Sequence, residues 1–121
     1  MEEKTYKVLI CDDSLLVRKK LRDLLEGMNC VVFEAKNGSE VIESFRINRP
    51  DIVFLDIVMP EVDGITALKS IKEFCPDAKV IMVSSTGTSS KLIEALKSGA
   101  ADFIQKPYTL EQIKKIINAL D

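Results

Sequence analysis

Apolar runs closed by polar residues punctuate this sequence. Val8-Leu9-Ile10-Cys11 precedes Asp12-Asp13, Ile52-Val53-Phe54-Leu55 precedes Asp56, Val80-Ile81-Met82-Val83 precedes Ser84, and Phe103-Ile104-Gln105 precedes Lys106. Such short runs, bounded by polar breaks, predict strands. Between them lie amphipathic stretches at helical spacing, so the pattern predicts five βα units and a mainly parallel sheet. No interior linker interrupts the series, and a single domain over residues 1–121 is expected.

The first helix is predicted from about Ser14 to Glu26, with Ser14 as N-cap and Val17, Leu21, Leu24, Leu25 and Met28 on one stripe. Val31 to Ala35 reads as the second strand, and Asn37-Gly38 turns into a helix carrying Val41, Ile42 and Phe45 inward. Arg49-Pro50 stops it. A third helix bears Ile65, Leu68, Ile71 and Phe74, and a fourth bears Leu92, Ile93 and Leu96 before Gly99. The last gathers Leu110, Ile113, Ile116, Ile117 and Leu120. Ser84 to Ser90 is the one low-complexity loop, whose small polar residues predict mobility.

Strands one, three and four are continuously apolar, as strands covered on both faces are, whereas the second and fifth carry shorter runs and are expected at the edges. With right-handed crossovers this fits strand order 2-1-3-4-5, a doubly wound sheet whose ligands lie beyond the carboxyl ends of the strands. Asp12, Asp13 and Asp56 then fall at the switch point between strands one and three.

Composition narrows the chemistry by exclusion. The 121 residues carry a formal charge of −2, which leaves no electrostatic footprint for nucleic acid. There is no histidine, so the chain supplies no imidazole as base, ligand or phosphodonor. Cys11, Cys30 and Cys75 form no close pair and no zinc motif, pointing to a reducing, cytoplasmic setting. No apolar run approaches the ~20 residues needed to span a bilayer. What remains is a set of three gathered carboxylates, which repel one another unless a cation neutralises them. Magnesium suits such oxygen donors.

The ordered motifs are Ile10-Cys11-Asp12-Asp13-Ser14, the stretch Leu55-Asp56-Ile57-Val58-Met59-Pro60-Glu61-Val62-Asp63-Gly64, Met82-Val83-Ser84-Ser85, Gly99-Ala100-Ala101-Asp102-Phe103 and Lys106-Pro107. Together they resemble the receiver domain of two-component response regulators, a flavodoxin-like (βα)5 fold. The resemblance implies that Asp56 accepts a phosphoryl group from a histidine kinase, while Asp12, Asp13 and Asp56, with the Val58 backbone carbonyl, hold Mg2+. It implies that Lys106 contacts the phosphate through a cis bond to Pro107, that Ser84 is the switch hydroxyl, and that Phe103 is the switch aromatic.

Within that family, Asp63 to Lys69 is most similar to chemotaxis regulators that address a flagellar or archaellar motor switch. A monomeric, stand-alone receiver that signals by binding partners is therefore expected, with neither catalytic turnover nor membrane attachment. A phosphorelay intermediate that hands its phosphoryl group to a histidine phosphotransfer protein uses the same residues. A magnesium-dependent phosphohydrolase is disfavoured, because such enzymes commonly space nucleophile and acid two residues apart after the first strand, whereas Asp12 and Asp13 are adjacent. Phe103 lacks the hydroxyl of the tyrosine frequent in chemotaxis regulators. Val58 and Thr86, neither acidic nor an amide, flank the expected path of attacking water.

Overall fold

Strand and helix alternate without exception along the computed structural model, which describes residues 5–59, 62–85 and 89–120. The elements are β1 Lys7–Cys11, α1 Leu15–Glu26, β2 Val31–Ala35, α2 Gly38–Asn48, β3 Ile52–Asp56, α3 Gly64–Phe74, β4 Val80–Ser84, α4 Ser89–Lys97, β5 Asp102–Gln105 and α5 Leu110–Asn118. All pairings are parallel and the order is β2-β1-β3-β4-β5, the flavodoxin-like arrangement expected from the apolar edges. Pro60, Glu61 and Thr86 lie outside the described residues, and so does the middle of the Ser84 to Ser90 loop.

Side chains alternate between the two faces of a strand, and here both faces are covered. Leu9, Val53, Leu55, Val80 and Met82 meet Val41 and Phe45 of α2, Leu68 and Ile71 of α3, and Ala95 of α4. On the other face Val8, Ile10, Ile52, Phe54, Ile81 and Val83 meet Leu21 and Leu25 of α1 and Ile113 and Ile117 of α5. Strands β3 and β4 are buried at every position, which is why their sequences lack polar alternation.

Caps set where each helix leaves the strand ends. Ser14 Oγ accepts the Val17 N–H at 3.3 Å, and Asn37, Asp63 and Thr109 cap α2, α3 and α5 in the same way. Gly99 follows α4 at φ 105°, a conformation that strains any side chain. Arg49 adopts φ 48° after α2, and Pro50 prevents continuation.

Three expected stripes are only partly buried, that of α5 because Leu110 at its start is exposed. Phe74, at the end of α3, is 44% exposed; its ring meets Phe45 edge-on, and the Arg49 guanidinium covers it at 4.5 Å. On α4, Ala95 is buried whereas Ile93 and Leu96 face solvent. The sheet ends at the four-residue β5, so the helix leading into it has little sheet to cover.

This contrast is measurable by urea unfolding. Ile113→Ala is expected to cost about 2–5 kcal/mol by leaving a cavity. Ile93→Ala should stay within about 0.5 kcal/mol of the parent.

Candidate functional site

Cys11 and Leu55 are level in neighbouring strands, so the residues that follow, Asp12 and Asp56, emerge side by side at the carboxyl edge of the sheet. Both carboxylates are buried, at 6% and 7% exposure, whereas Asp13 is exposed. One oxygen from each of Asp12, Asp13 and Asp56 lies within 4.8 Å of the others. Lys106 reaches this cluster from beyond β5. Its N–H donates to Ser84 O at 2.7 Å, extending the β4–β5 pairing by one bond, and the Lys106–Pro107 peptide is cis. Lys106 Nζ then donates to Asp12 Oδ2 at 2.7 Å and to Asp56 Oδ2 at 3.3 Å.

The surroundings hold Asp12 at every polar atom. Its N–H donates to Ala35 O at 3.2 Å, and its Oδ1 accepts the Ser14 N–H at 2.9 Å. Its carbonyl oxygen accepts from Arg18 Nη1 at 2.6 Å. Asp56 is less tied, its Oδ1 accepting the Val58 N–H at 3.4 Å. Gly64 brings α3 against this strand end, where a Cβ would collide with the Asp56 carbonyl oxygen. The Asp63-Gly64 pair is thus a cap followed by a close approach, and both steps need those residue types.

Electrostatics set the reactivity of the cluster. Burial, and then the Asp12 charge, push the Asp56 carboxyl up to about 6, against the opposing pull of Lys106. Burial disfavours the Lys106 ammonium, but its bonds to Asp12 and the charge of Asp56 hold it above the ordinary lysine value. Burial, reinforced by Asp12 and Asp56, pushes the Cys11 thiol up to about 12. That sulfur lies 3.3 Å from Met59 Sδ and 3.4 Å from Asn37 O. The available donors are therefore carboxylate oxygens, a set that suits a hard cation such as Mg2+ and is poor for a thiophilic one.

Ser84, 2% exposed, ends β4 beside the cluster, and Val58, 60% exposed, stands at its rim. Phe103 is not drawn in. It is level with Met82 on the edge strand and 40% exposed. The sequence reading missed Arg18, whose guanidinium also bonds Glu34 Oε1 at 3.1 Å. A signal was present, since Glu34 shares the face of Val32 on β2 and lies opposite α1, where Arg18 and Arg22 are four residues apart. A carboxylate on an inward face calls for such a cation.

Residues 8–118 match the family model of the response regulator receiver domain. The chain belongs to that family. Among receiver relatives, the chemotaxis protein CheY of Bacillus subtilis is 43% identical over 115 residues, covering 93% of this chain and 95% of its own. CheY of Halobacterium salinarum is 41% identical over 112 residues, covering 93% of each chain. A solved CheX–CheY–BeF3–Mg2+ complex from Borrelia burgdorferi superposes with TM-score 0.88 at 34% identity, covering 95% of this receiver and 88% of that chain. Receivers of this type are phosphorylation-dependent response regulators that bind Mg2+ at an acidic pocket and act between histidine kinases and downstream targets. No helix among the described residues is long and apolar enough to cross a membrane.

The raised Asp56 carboxyl carries a sign for stability. Between about pH 4 and about pH 6 the folded, metal-free receiver binds a proton at Asp56 that the unfolded chain has released. This contribution is complete below the unfolded value and is lost as pH rises through about 6. Asp56→Asn removes it, so thermal melts without metal should show the variant gaining stability over the parent as pH rises, with a plateau above 7. A constant difference from pH 4 to 7.5 would contradict the raised Asp56 carboxyl.

Proposed function

We propose that residues 1–121 form a single-domain, CheY-like response regulator that accepts a phosphoryl group on Asp56 from a histidine kinase and signals by binding an output protein of the flagellar or archaellar motor switch. The observation that carries this reading is the buried Asp56 carboxylate, bonded by the Lys106 ammonium at 3.3 Å and sharing that ammonium with the Asp12 carboxylate. Asp12, Asp13 and Asp56, with the Val58 carbonyl, are the residues that would hold Mg2+. The bound ion offsets the charge of the phosphoryl oxygens.

Each residue has a task in the transfer. An Asp56 carboxylate oxygen attacks phosphorus, the O–P bond forming as the P–N bond to the donor histidine breaks and its electron pair returns to the imidazole. Lys106 presents a point charge to the transferred group, opposite the acidic pair. The Ser84 hydroxyl donates to a new phosphoryl oxygen, drawing the following loop inward, and Phe103 rotates toward the space left. The reaction ends at the acyl phosphate, so the protein is a switch and not a turnover enzyme.

The output face in this reading is α4, β5 and α5. Phe103, Gln112, Lys115, Ile116 and Ala119 line an open groove there of about 380 Å3, and Ile93 and Leu96 add exposed apolar surface. Support for a chemotaxis pathway comes from the CheY relatives, and the Borrelia relative was solved with both Mg2+ and a phosphoryl mimic. The receiver acts as a cytoplasmic monomer and contacts no nucleic acid, in keeping with its charge of −2.

Incubation with labelled acetyl phosphate and Mg2+ tests the site. One label per chain is expected, absent in Asp56→Asn and slower to appear in Lys106→Met. Undiminished labelling of Asp56→Asn, or many turnovers per minute, would overturn the assignment. Beryllofluoride with Mg2+ should tighten binding to a motor-switch peptide, and failure to do so would reject the output partner alone.

The label itself should persist. Val58 offers attacking water no polar group, so spontaneous loss is expected to be slow and Val58→Asn to accelerate it. A label equally short-lived in both proteins would remove Val58 from that role.

A further inference from the structure

The Asp12-Asp13 turn lies just past the end of β1, where the bond from Asp12 N–H to Ala35 O is the last one to the neighbouring strand, yet two of the three clustered carboxylates depend on how the turn beyond it is oriented. The peptide plane joining Asp12 to Asp13 is rigid, so holding its carbonyl oxygen restricts the backbone rotations on either side from which both side chains leave. Arg18 holds that oxygen. Its Nη1 donates to Asp12 O at 2.6 Å, while its Nε donates to Glu34 Oε1 at 3.1 Å.

This clamp is itself anchored. The Arg18 side chain is only 12% exposed, and the second oxygen of Glu34 accepts from Arg22 Nη1 at 2.6 Å. Burial opposes the Glu34 charge, but the bonds from Arg22 and Arg18 keep its carboxyl below the ordinary glutamate value. Beneath the turn lies a void of about 10 Å3 bounded by Cys11, Asp12, Arg18, Leu21, Phe54 and Tyr108.

We propose that Arg18 is a positioning residue that locks the Asp12-Asp13 turn, through its carbonyl, in the form that receives Mg2+, with Glu34 setting the guanidinium. Arg18 touches neither the cation nor the phosphoryl group. It acts by keeping two carboxylates aimed at one point, so its loss raises the cost of assembling the ligand set and leaves the attacking Asp56 in place. The inference rests on the proposed Mg2+ site.

Calorimetric titration of metal-free protein with Mg2+ separates the two. Arg18→Met should weaken Mg2+ binding roughly 10-fold, the lower end of what loss of an outer-shell partner costs. Arg18→Lys should recover part of that loss. Arg22→Met removes a neighbouring cation that bonds the same glutamate but not the turn, and it should bind Mg2+ within about 2-fold of the parent, below the range typical of an outer-shell partner. Amide hydrogen exchange supplies a metal-free readout, with the Ser14 N–H losing protection in Arg18→Met and keeping it in Arg22→Met. Unchanged Mg2+ affinity in Arg18→Met, or equal loss in Arg22→Met, would overturn the positioning role while leaving the site intact. No Mg2+ binding by the parent would overturn the functional reading, and this inference with it.

Discussion

Two carboxylates buried side by side, with one ammonium shared between them, are the constraint around which the molecule is arranged. Asp12 and Asp56 are each under a tenth exposed, and Lys106 bonds both. Burial first, and the neighbouring Asp12 charge second, outweigh the single ammonium and raise the Asp56 carboxyl to about 6. The exposed Asp13 adds a third charge near the pair without being buried itself. A cluster of this kind is held together by its scaffold against its own repulsion, which makes it receptive to added positive charge.

The scaffold does this with backbone, not with side-chain packing. β1 ends at Cys11, level with Leu55 of β3, so parallel pairing sets Asp12 beside Asp56. Lys106 is placed by the bond from its own N–H to Ser84 O, one step beyond the β4–β5 ladder. Gly64 lets α3 approach the Asp56 carbonyl, and Ser14 starts α1 so that its amide meets Asp12. The polar residues of the site are therefore strand-end or helix-start residues.

That origin explains what the sequence made legible. Strand ends are readable because apolar runs stop abruptly at Asp12, Asp56, Ser84 and Lys106. Which strands lie at the edges followed from which runs were long enough to be covered on both faces, and right-handed crossovers then fitted the order. Less legible was the degree to which helical stripes are buried. Phe74 and Leu96 keep helical spacing, yet each is left 44% exposed, Phe74 at the end of α3 against Phe45 and Arg49 and Leu96 on the helix that leads to the short edge strand, and spacing carries no information about how far a neighbouring element reaches. Arg18 escaped notice for a different reason. Its partner is a backbone carbonyl, which every residue possesses, and only the inward placement of Glu34 on β2 betrayed the need for a cation there.

The sheet also separates two apolar cores that share no residue, one under α1 and α5 and the other under α2, α3 and α4. Asp12 and Asp56 leave the seam between them. A substitution on either layer can therefore reshape one flank of the protein without dislodging the carboxylates. Because α4 belongs to one layer and α5 to the other, the margin beside β5 carries surface from both, and it can diverge while the carboxylates stay fixed at the edge the two layers hold in common.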